Sequence, residues 1–158
     1  MNDTNPRELA RRHPFVRQFA SAQADMLAGL AREVAWAKDQ VIYREGEAAP
    51  DFYLIESGTI ALEVDPPTGP VQVDTLTAGE EFGWAAVLSG PRVRRARGME
   101  ATGLLALGGA RLKALCETDP AFGYAFMRVL LASSQERLQA LRLQLMDSRW
   151  PVAARAGA

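Results

Sequence analysis

Histidine and cysteine are almost missing from this chain: among 158 residues His13 is the one histidine and Cys116 the one cysteine. A single cysteine excludes a disulfide within the chain and any all-cysteine metal or iron–sulfur site. Clustered histidines, which hold metals inside many β-folds, are excluded with them. No serine, cysteine or lysine stands beside a histidine to form a nucleophile–base pair. His13 precedes Pro14 and is expected to cap a helix or face solvent, and neither it nor Cys116 is placed as a haem ligand. Cys116 follows Leu112 and Leu115 in a helical pattern and reads as a small buried hydrophobe. The expectation is a protein that is not an enzyme.

A dominant charge is also missing. Lys and Arg number 18 against 19 Asp and Glu, a formal net charge of −1, so no global field draws the chain onto nucleic acid or an anionic membrane. No apolar run approaches the length of a membrane span, and Met1-Asn2-Asp3-Thr4 has neither the basic start nor the apolar core of a signal peptide. The expected location is the cytoplasm, with no membrane contact.

What the chain does have is a change of period. Pro6 to Leu30 reads as helix broken at His13-Pro14, with a second helix starting at Ser21 and burying Met26, Leu27 and Leu30. From Arg32 the pattern is that of short strands: Val34 and Trp36, Val41-Ile42-Tyr43, Phe52 to Ile55, Thr59 to Val64, Val71 to Leu76, Arg94 to Glu100 and Leu104 to Leu107. Glycine and proline turns separate them. The fold class that follows is mainly β with flanking helices: an antiparallel β-roll, of the double-stranded β-helix or jelly-roll kind, followed by a long C-terminal helix.

The organisation expected is an N-terminal helical segment (1–31), the roll (32–109), a hinge and long helix (110–150) and a tail (151–158). Along the long helix Tyr124, Met127, Leu131, Ser134, Leu138, Leu141 and Leu145 recur at alternating steps of three and four. A second stripe, Phe122, Phe126, Val129 and Leu130, is available to pack onto the roll, which leaves the first as a seam for a parallel homodimer. Arg137, Arg142 and Glu136 are then expected as solvated charges beside that seam.

One segment has the outline of an anion-binding turn. In Phe82-Gly83-Trp84-Ala85-Ala86-Val87-Leu88, Gly83 allows close backbone approach and the short apolar turn after it offers N–H groups. Arg92 follows, a planar cation suited to clamp a phosphate, with Val93 beside it. The neighbouring arginines split by strand alternation, Arg92 with Arg94 on one face and Arg95 with Arg97 on the other, one pair toward the pocket and one toward water. Glu80 and Glu81 read as solvated turn residues.

Arg44-Glu45-Gly46-Glu47, Phe52-Tyr53-Leu54-Ile55, Gly58, Gly79-Glu80, Phe82-Gly83 and Pro91-Arg92, in that order, resemble the cyclic-nucleotide-binding domain family, in particular the sensory half of the catabolite-activator (Crp/Fnr) regulators. The resemblance runs from about Ala28 to Met146. It implies an eight-stranded roll with a long helix that lids the pocket and dimerises, and a ligand site of Phe82, Gly83, Trp84, Ala85, Ala86, Arg92 and Val93. The family's glutamate after the Phe-Gly pair, which accepts from a ribose hydroxyl, is Trp84 here, and the small polar residue after the arginine is Val93. An indole donates one hydrogen bond and accepts none, so cyclic AMP is expected to bind weakly or to be replaced by another small anion.

Two readings remain open at this point. One is a sensory or regulatory domain with a cyclic nucleotide or other small anionic ligand and a regulatory protein partner. The other is a ligand-free dimeric scaffold with Trp84 filling the pocket. Only 151–158 follow the long helix, too few for a helix-turn-helix, so direct contact with nucleic acid is not expected.

Overall fold

A computed structural model describes residues 5–88 and 90–149, with eight strands in two four-stranded antiparallel sheets and four helices packed on one of them. The tail at 151–158 and the first four residues lie outside the described residues. One sheet has the order β1 (Ala31–Trp36), β8 (Thr102–Gly108), β3 (Asp51–Ser57), β6 (Glu81–Phe82). The other is β2 (Val41–Tyr43), β7 (Arg95–Gly98), β4 (Thr59–Val64), β5 (Val71–Thr77). Two-residue β6 is the strand that the period-two pattern does not reveal, being too short to alternate. The remaining strands agree with the β-roll expected from the sequence.

Burial on both faces of the first sheet explains its continuous apolar runs. Phe52 and Leu54 of β3, with Leu105 and Leu107 of β8, face the helices. Tyr53, Ile55, Leu104 and Ala106 point the other way and meet Ile60, Leu62, Leu76 and Ala96 of the second sheet inside the roll. Register keeps these sets in phase, with Phe52 opposite Leu107 and Ile55 opposite Leu104.

Four helices cover the outer face: α1 (Pro6–Arg12), α2 (Ser21–Ala28), α3 (Gly109–Thr118) and α4 (Pro120–Arg149). The break at His13-Pro14 is followed by a 3-10 turn, Val16–Gln18, that delivers Phe15 and Phe19 to an aromatic cluster. Phe15 lies 5.5 Å from Phe52 and 6.1 Å from Phe126 between ring centroids, and Phe19 stacks on Phe122 at 6.2 Å. Ala20, not Ser21, occupies the cap position of α2, and Met26 is only partly buried. Asp119 caps α4, its Oδ1 accepting from the N–H of Phe122 at 3.1 Å, with Pro120 in the first turn where no N–H is needed.

Several charged or polar residues read as solvated depart from that expectation. The first is His13, 3% exposed. Its Nδ1 accepts from the N–H of Phe15 at 3.2 Å, so Nε2 carries the proton and donates to the carbonyl of Ile55 at 3.0 Å. The imidazole thereby pins the chain break to β3. Glu81 is the second; it belongs to the site described below. The third departure concerns Arg95 and Arg97, which leave the roll on its outer face as alternation requires but do not go to water. Both bond Glu63, a buried carboxylate on β4, at 2.8 Å from Arg95 Nε and 2.9 Å from Arg97 Nη2. Burial alone would push the Glu63 carboxyl up, but the hydrogen bonds from Arg97 and Arg95 outweigh it and hold the group below the usual carboxylate range.

Burial of His13 pushes its pKa below the ordinary 6.5, the Ile55 hydrogen bond opposing this only in part. As pH falls below about 6.5 the unfolded chain takes up the proton first, so native stability is full above that pH and declines below it toward the folded-state pKa. Urea midpoints at pH 7.5 and 5.5 are expected to separate in the wild-type protein and to separate less in His13→Gln; equal separation in the two would show that another group carries the loss.

Candidate functional site

Six of the seven residues expected at the ligand site line one cavity of about 140 Å³ at the open end of the roll. Tyr43, Leu62 and Phe82 form its apolar floor. Gly83, Trp84 and Ala85 form one wall, and Arg92, Val93 and Arg94 the other. Ala86 does not line it: the residue is buried behind, in the core shared with the helices. Val93 stands at the rim, 74% exposed, while Arg92 is 2% exposed. The pair Arg92 and Arg94 is therefore the one on the cavity side.

Gly83 has φ +85°, where a side chain is strained, and a Cβ on it would lie 2.8 Å from Arg92 Nη1 and 3.1 Å from the Asp51 carbonyl. The glycine lets a backbone turn and a guanidinium share one space. After it, Trp84–Ala86 forms a 3-10 turn whose first N–H groups have no acceptor within the turn.

Arg92 is held from two sides. Nη2 donates to the Asp51 carbonyl at 2.5 Å, and the guanidinium carbon sits 4.1 Å from the Tyr43 ring centroid. Its Nε and Nη1 are buried with no protein acceptor among the described residues. Burial pulls the Arg92 pKa down, with the neighbouring tyrosines and Asp51 opposing; a guanidinium nonetheless stays charged. Burial likewise pushes the Tyr43 hydroxyl up to about 12, so it remains a neutral phenol.

The fourth side of the cavity is α4. Arg137, expected as a solvated charge beside the seam, instead turns inward: its guanidinium carbon lies 4.6 Å from the Trp84 ring centroid. It donates to the backbone carbonyl of Glu81 and lies 3.3 Å from the Glu81 carboxylate. Glu81, 5% exposed, also accepts from Ser133 Oγ at 2.5 Å. Trp84 thus lies under Arg137, half-buried, with its Nε1 buried and unpartnered among the described residues. A signal for this contact was present in the sequence: the core-facing stripe Phe122, Phe126, Leu130 continues at helical spacing to Ser133 and Arg137.

The seven seam residues lie beside this contact, and four of them, Leu131, Ser134, Leu138 and Leu141, line an adjoining pocket with Trp84, Arg94 and Arg137. Tyr124, Met127, Leu131, Leu138 and Leu145 are exposed, and Ser134 and Leu141 are partly buried. Phe122, Phe126 and Leu130 are buried on the roll, with Val129 packed against them. Among the described residues no three His, Cys, Asp or Glu side chains are grouped to hold a metal, and no helix is long and apolar enough to cross a membrane.

The model of the family described as cyclic nucleotide-binding domain matches residues 33–119, more than half of the chain, and the protein belongs to that family. No curated protein matches the sequence significantly. Solved structures do. A cyclic nucleotide-binding domain from Methylobacillus flagellatus KT superposes with a TM-score of 0.78 at 19% identity, covering 89% of this chain and 83% of its own. The catabolite activator protein of Thermus thermophilus gives 0.67 at 26% identity, covering 84% of this chain and 61% of its own. The regulatory subunit of a cAMP-independent protein kinase A from Trypanosoma brucei gives 0.69 at 17% identity, over 82% and 47%.

Gly83→Ala should cost about 1–2 kcal/mol, the strain of a side chain in the left-handed region, with the Cβ also displacing Arg92. Urea unfolding reads the loss; a stability equal to wild type would mean that the turn relaxes and that the close approach is not required.

Proposed function

We propose that this protein is a regulatory domain whose state is set by an anionic ligand at Arg92, in a site altered from that of an ordinary cyclic AMP receptor. The observation that carries the reading is the buried guanidinium of Arg92, a cavity-lining residue with two donor nitrogens that no described residue satisfies. Buried polar groups in folded proteins nearly always have partners. An oxyanion completes this one with paired, charge-assisted bonds.

The path from ligand to helix runs through packed atoms. A ligand drawing Arg92 and the Trp84–Ala86 turn together moves Ala86, and Ala86 rests on Gly109, the first residue of α3, so closely that a Cβ on that glycine would lie 2.5 Å from the Ala86 carbonyl. Helix α3 leads directly into α4, and α4 returns to the cavity through Arg137. The same ligand thereby biases both ends of one bistable helix pair.

Cyclic AMP is a weak ligand in this reading. Trp84 provides no acceptor for a sugar hydroxyl, and loss of one charge-assisted hydrogen bond costs roughly 1.5–3 kcal/mol, about one to two decades of affinity. A fold without cyclic AMP dependence has a precedent in the trypanosomal subunit described as cAMP-independent. The experiment is a thermal-unfolding titration with cyclic AMP and cyclic GMP, wild type beside Arg92→Ala. Stabilisation that requires Arg92 and high nucleotide concentration is expected. Tight cyclic AMP binding would remove the alteration from the proposal; no stabilisation by any anion, in protein that still unfolds cooperatively, would leave the ligand-free scaffold.

The exposed seam of α4 supports a second element of the proposal, a homodimer through Leu131, Leu138 and their neighbours, with a regulatory protein as the onward partner. Light scattering should give twice the monomer mass for the wild type and the monomer mass for Leu131→Glu/Leu138→Glu. A monomeric wild type would sink the dimer.

A further inference from the structure

Granting the Arg92 cavity as a ligand site, as proposed above, its walls also select the ligand. Three guanidiniums border it, those of Arg92, Arg94 and Arg137, and no carboxylate does. Arg137 is compensated by Glu81. Arg94 has no ion-pair partner among the described residues. The carboxylates nearest Arg92 are engaged elsewhere: Asp51 pairs with Arg32 at 2.5 Å, and Glu47 accepts from the N–H of Arg44 at 3.0 Å. Among the described residues neither Arg92 nor Arg94 is in an ion pair, and Asp74, a carboxylate that lines the adjoining pocket with Arg94 and Arg137, pairs with neither.

Hydrogen-bonding capacity is equally one-sided. On the cavity lining the buried atoms without a protein partner are Arg92 Nε, Arg92 Nη1 and Trp84 Nε1, all donors; the buried acceptor Asp74 Oδ2 is unpartnered too and lies in the adjoining pocket, whose lining shares Trp84, Arg94 and Arg137. The phenol of Tyr43 is the one side chain on the lining able to accept. A group that presents only acceptors fits this wall; a sugar, whose hydroxyls must also donate, does not. The cavity itself, about 140 Å³, has room for a benzene-sized molecule, and a nucleoside would have to extend past Trp84, Arg94 and Arg137 into the adjoining pocket of about 310 Å³.

We propose that the cavity is selective for a compact phosphate dianion, inorganic phosphate or a small phosphomonoester, over a cyclic phosphodiester, with Arg92 and Arg94 sharing its two charges and Trp84 adding a third donor. Arg94 and Trp84 are then the residues that set specificity, and Arg92 the one that any anion needs.

Calorimetric titration with methyl phosphate and dimethyl phosphate tests this, because the two are close in size and differ in charge and in esterification. Inorganic phosphate, glycerol 3-phosphate and cyclic AMP complete the panel, the first two separating free phosphate from a small ester as the source. At pH 7.5 methyl phosphate should bind about tenfold or more tightly than dimethyl phosphate or cyclic AMP, the worth of one charge-assisted contact. At pH 5.5 that preference should shrink, because a phosphomonoester takes up its second proton near pH 6. His13 contacts Phe15 and Ile55, away from the cavity, while Glu81 pairs with Arg137 and Asp74 lines the adjoining pocket beside Arg94; dimethyl phosphate, whose charge does not change over this range, reports any titration of these groups, so a step seen with methyl phosphate alone belongs to the ligand. Arg94→Gln, checked for cooperative unfolding, should erase the preference while leaving Arg92-dependent monoanion binding.

Tighter binding of cyclic AMP than of methyl phosphate, lost in Arg92→Ala, would overturn the dianion assignment and keep the ligand site. A preference that survives Arg94→Gln would overturn it too. Binding of no anion in the panel would overturn both.

Discussion

A guanidinium taken out of water must be surrounded by groups that replace the water, and Arg92 is surrounded on every side by something the fold supplies. The Asp51 carbonyl comes from the start of β3, the ring of Tyr43 from the end of β2, and the space beside Nη1 from the missing side chain of Gly83. Each contributor is the terminal part of a different element, so the arginine can be buried only when the two sheets have closed on each other. The two nitrogens left over have no protein partner among the described residues. Desolvation of a charge costs several kcal/mol when it is incompletely paired, and placing that cost at the mouth of the roll makes the fold most responsive there.

The same geometry ties the cavity to the helices without a hinge loop between them. The Trp84–Ala86 turn is in contact with Gly109, β8 passes directly into α3, and Arg137 brings α4 back over Trp84. At Gly83 and at Gly109 the packing leaves no room for a side chain.

Much of the fold was legible because it depends on local pattern. The apolar runs Phe52 to Ile55 and Leu104 to Leu107, the glycine turns and the proline breaks each report a neighbour-scale rule, and the strands fall where they indicate. The site was legible in its backbone part, Phe82 to Ala85, and in Arg92. What escaped was the pairing of charges across long separations. Glu81 and Arg137 look solvated taken singly, and only the docking of α4 on the roll shows that each is the other's counter-ion. His13 escaped for a related reason: nothing near it in sequence announces that the Ile55 carbonyl, 42 residues on, needs a donor. Glu63, flanked by Leu62 and Val64, gave no sign that Arg95 and Arg97 would converge on it.

The Glu63 clamp acts well away from the cavity, yet it governs which arginines the cavity contains. Through this stretch Arg92, Arg94 and Ala96 face the interior and Arg95 the outside, with Val93 exposed at the cavity rim. Because four of the residues from 92 to 97 are arginines, composition alone does not choose between this phase and the opposite one, in which Arg95 would enter and Arg94 leave. A carboxylate on the outer face that binds Arg95 and Arg97 together chooses it, since slippage by one position would bury those two charges inside the roll and strand Glu63 without either. The clamp works as a phase lock on an otherwise ambiguous repeat, so the interior chemistry of the roll is fixed from its exterior.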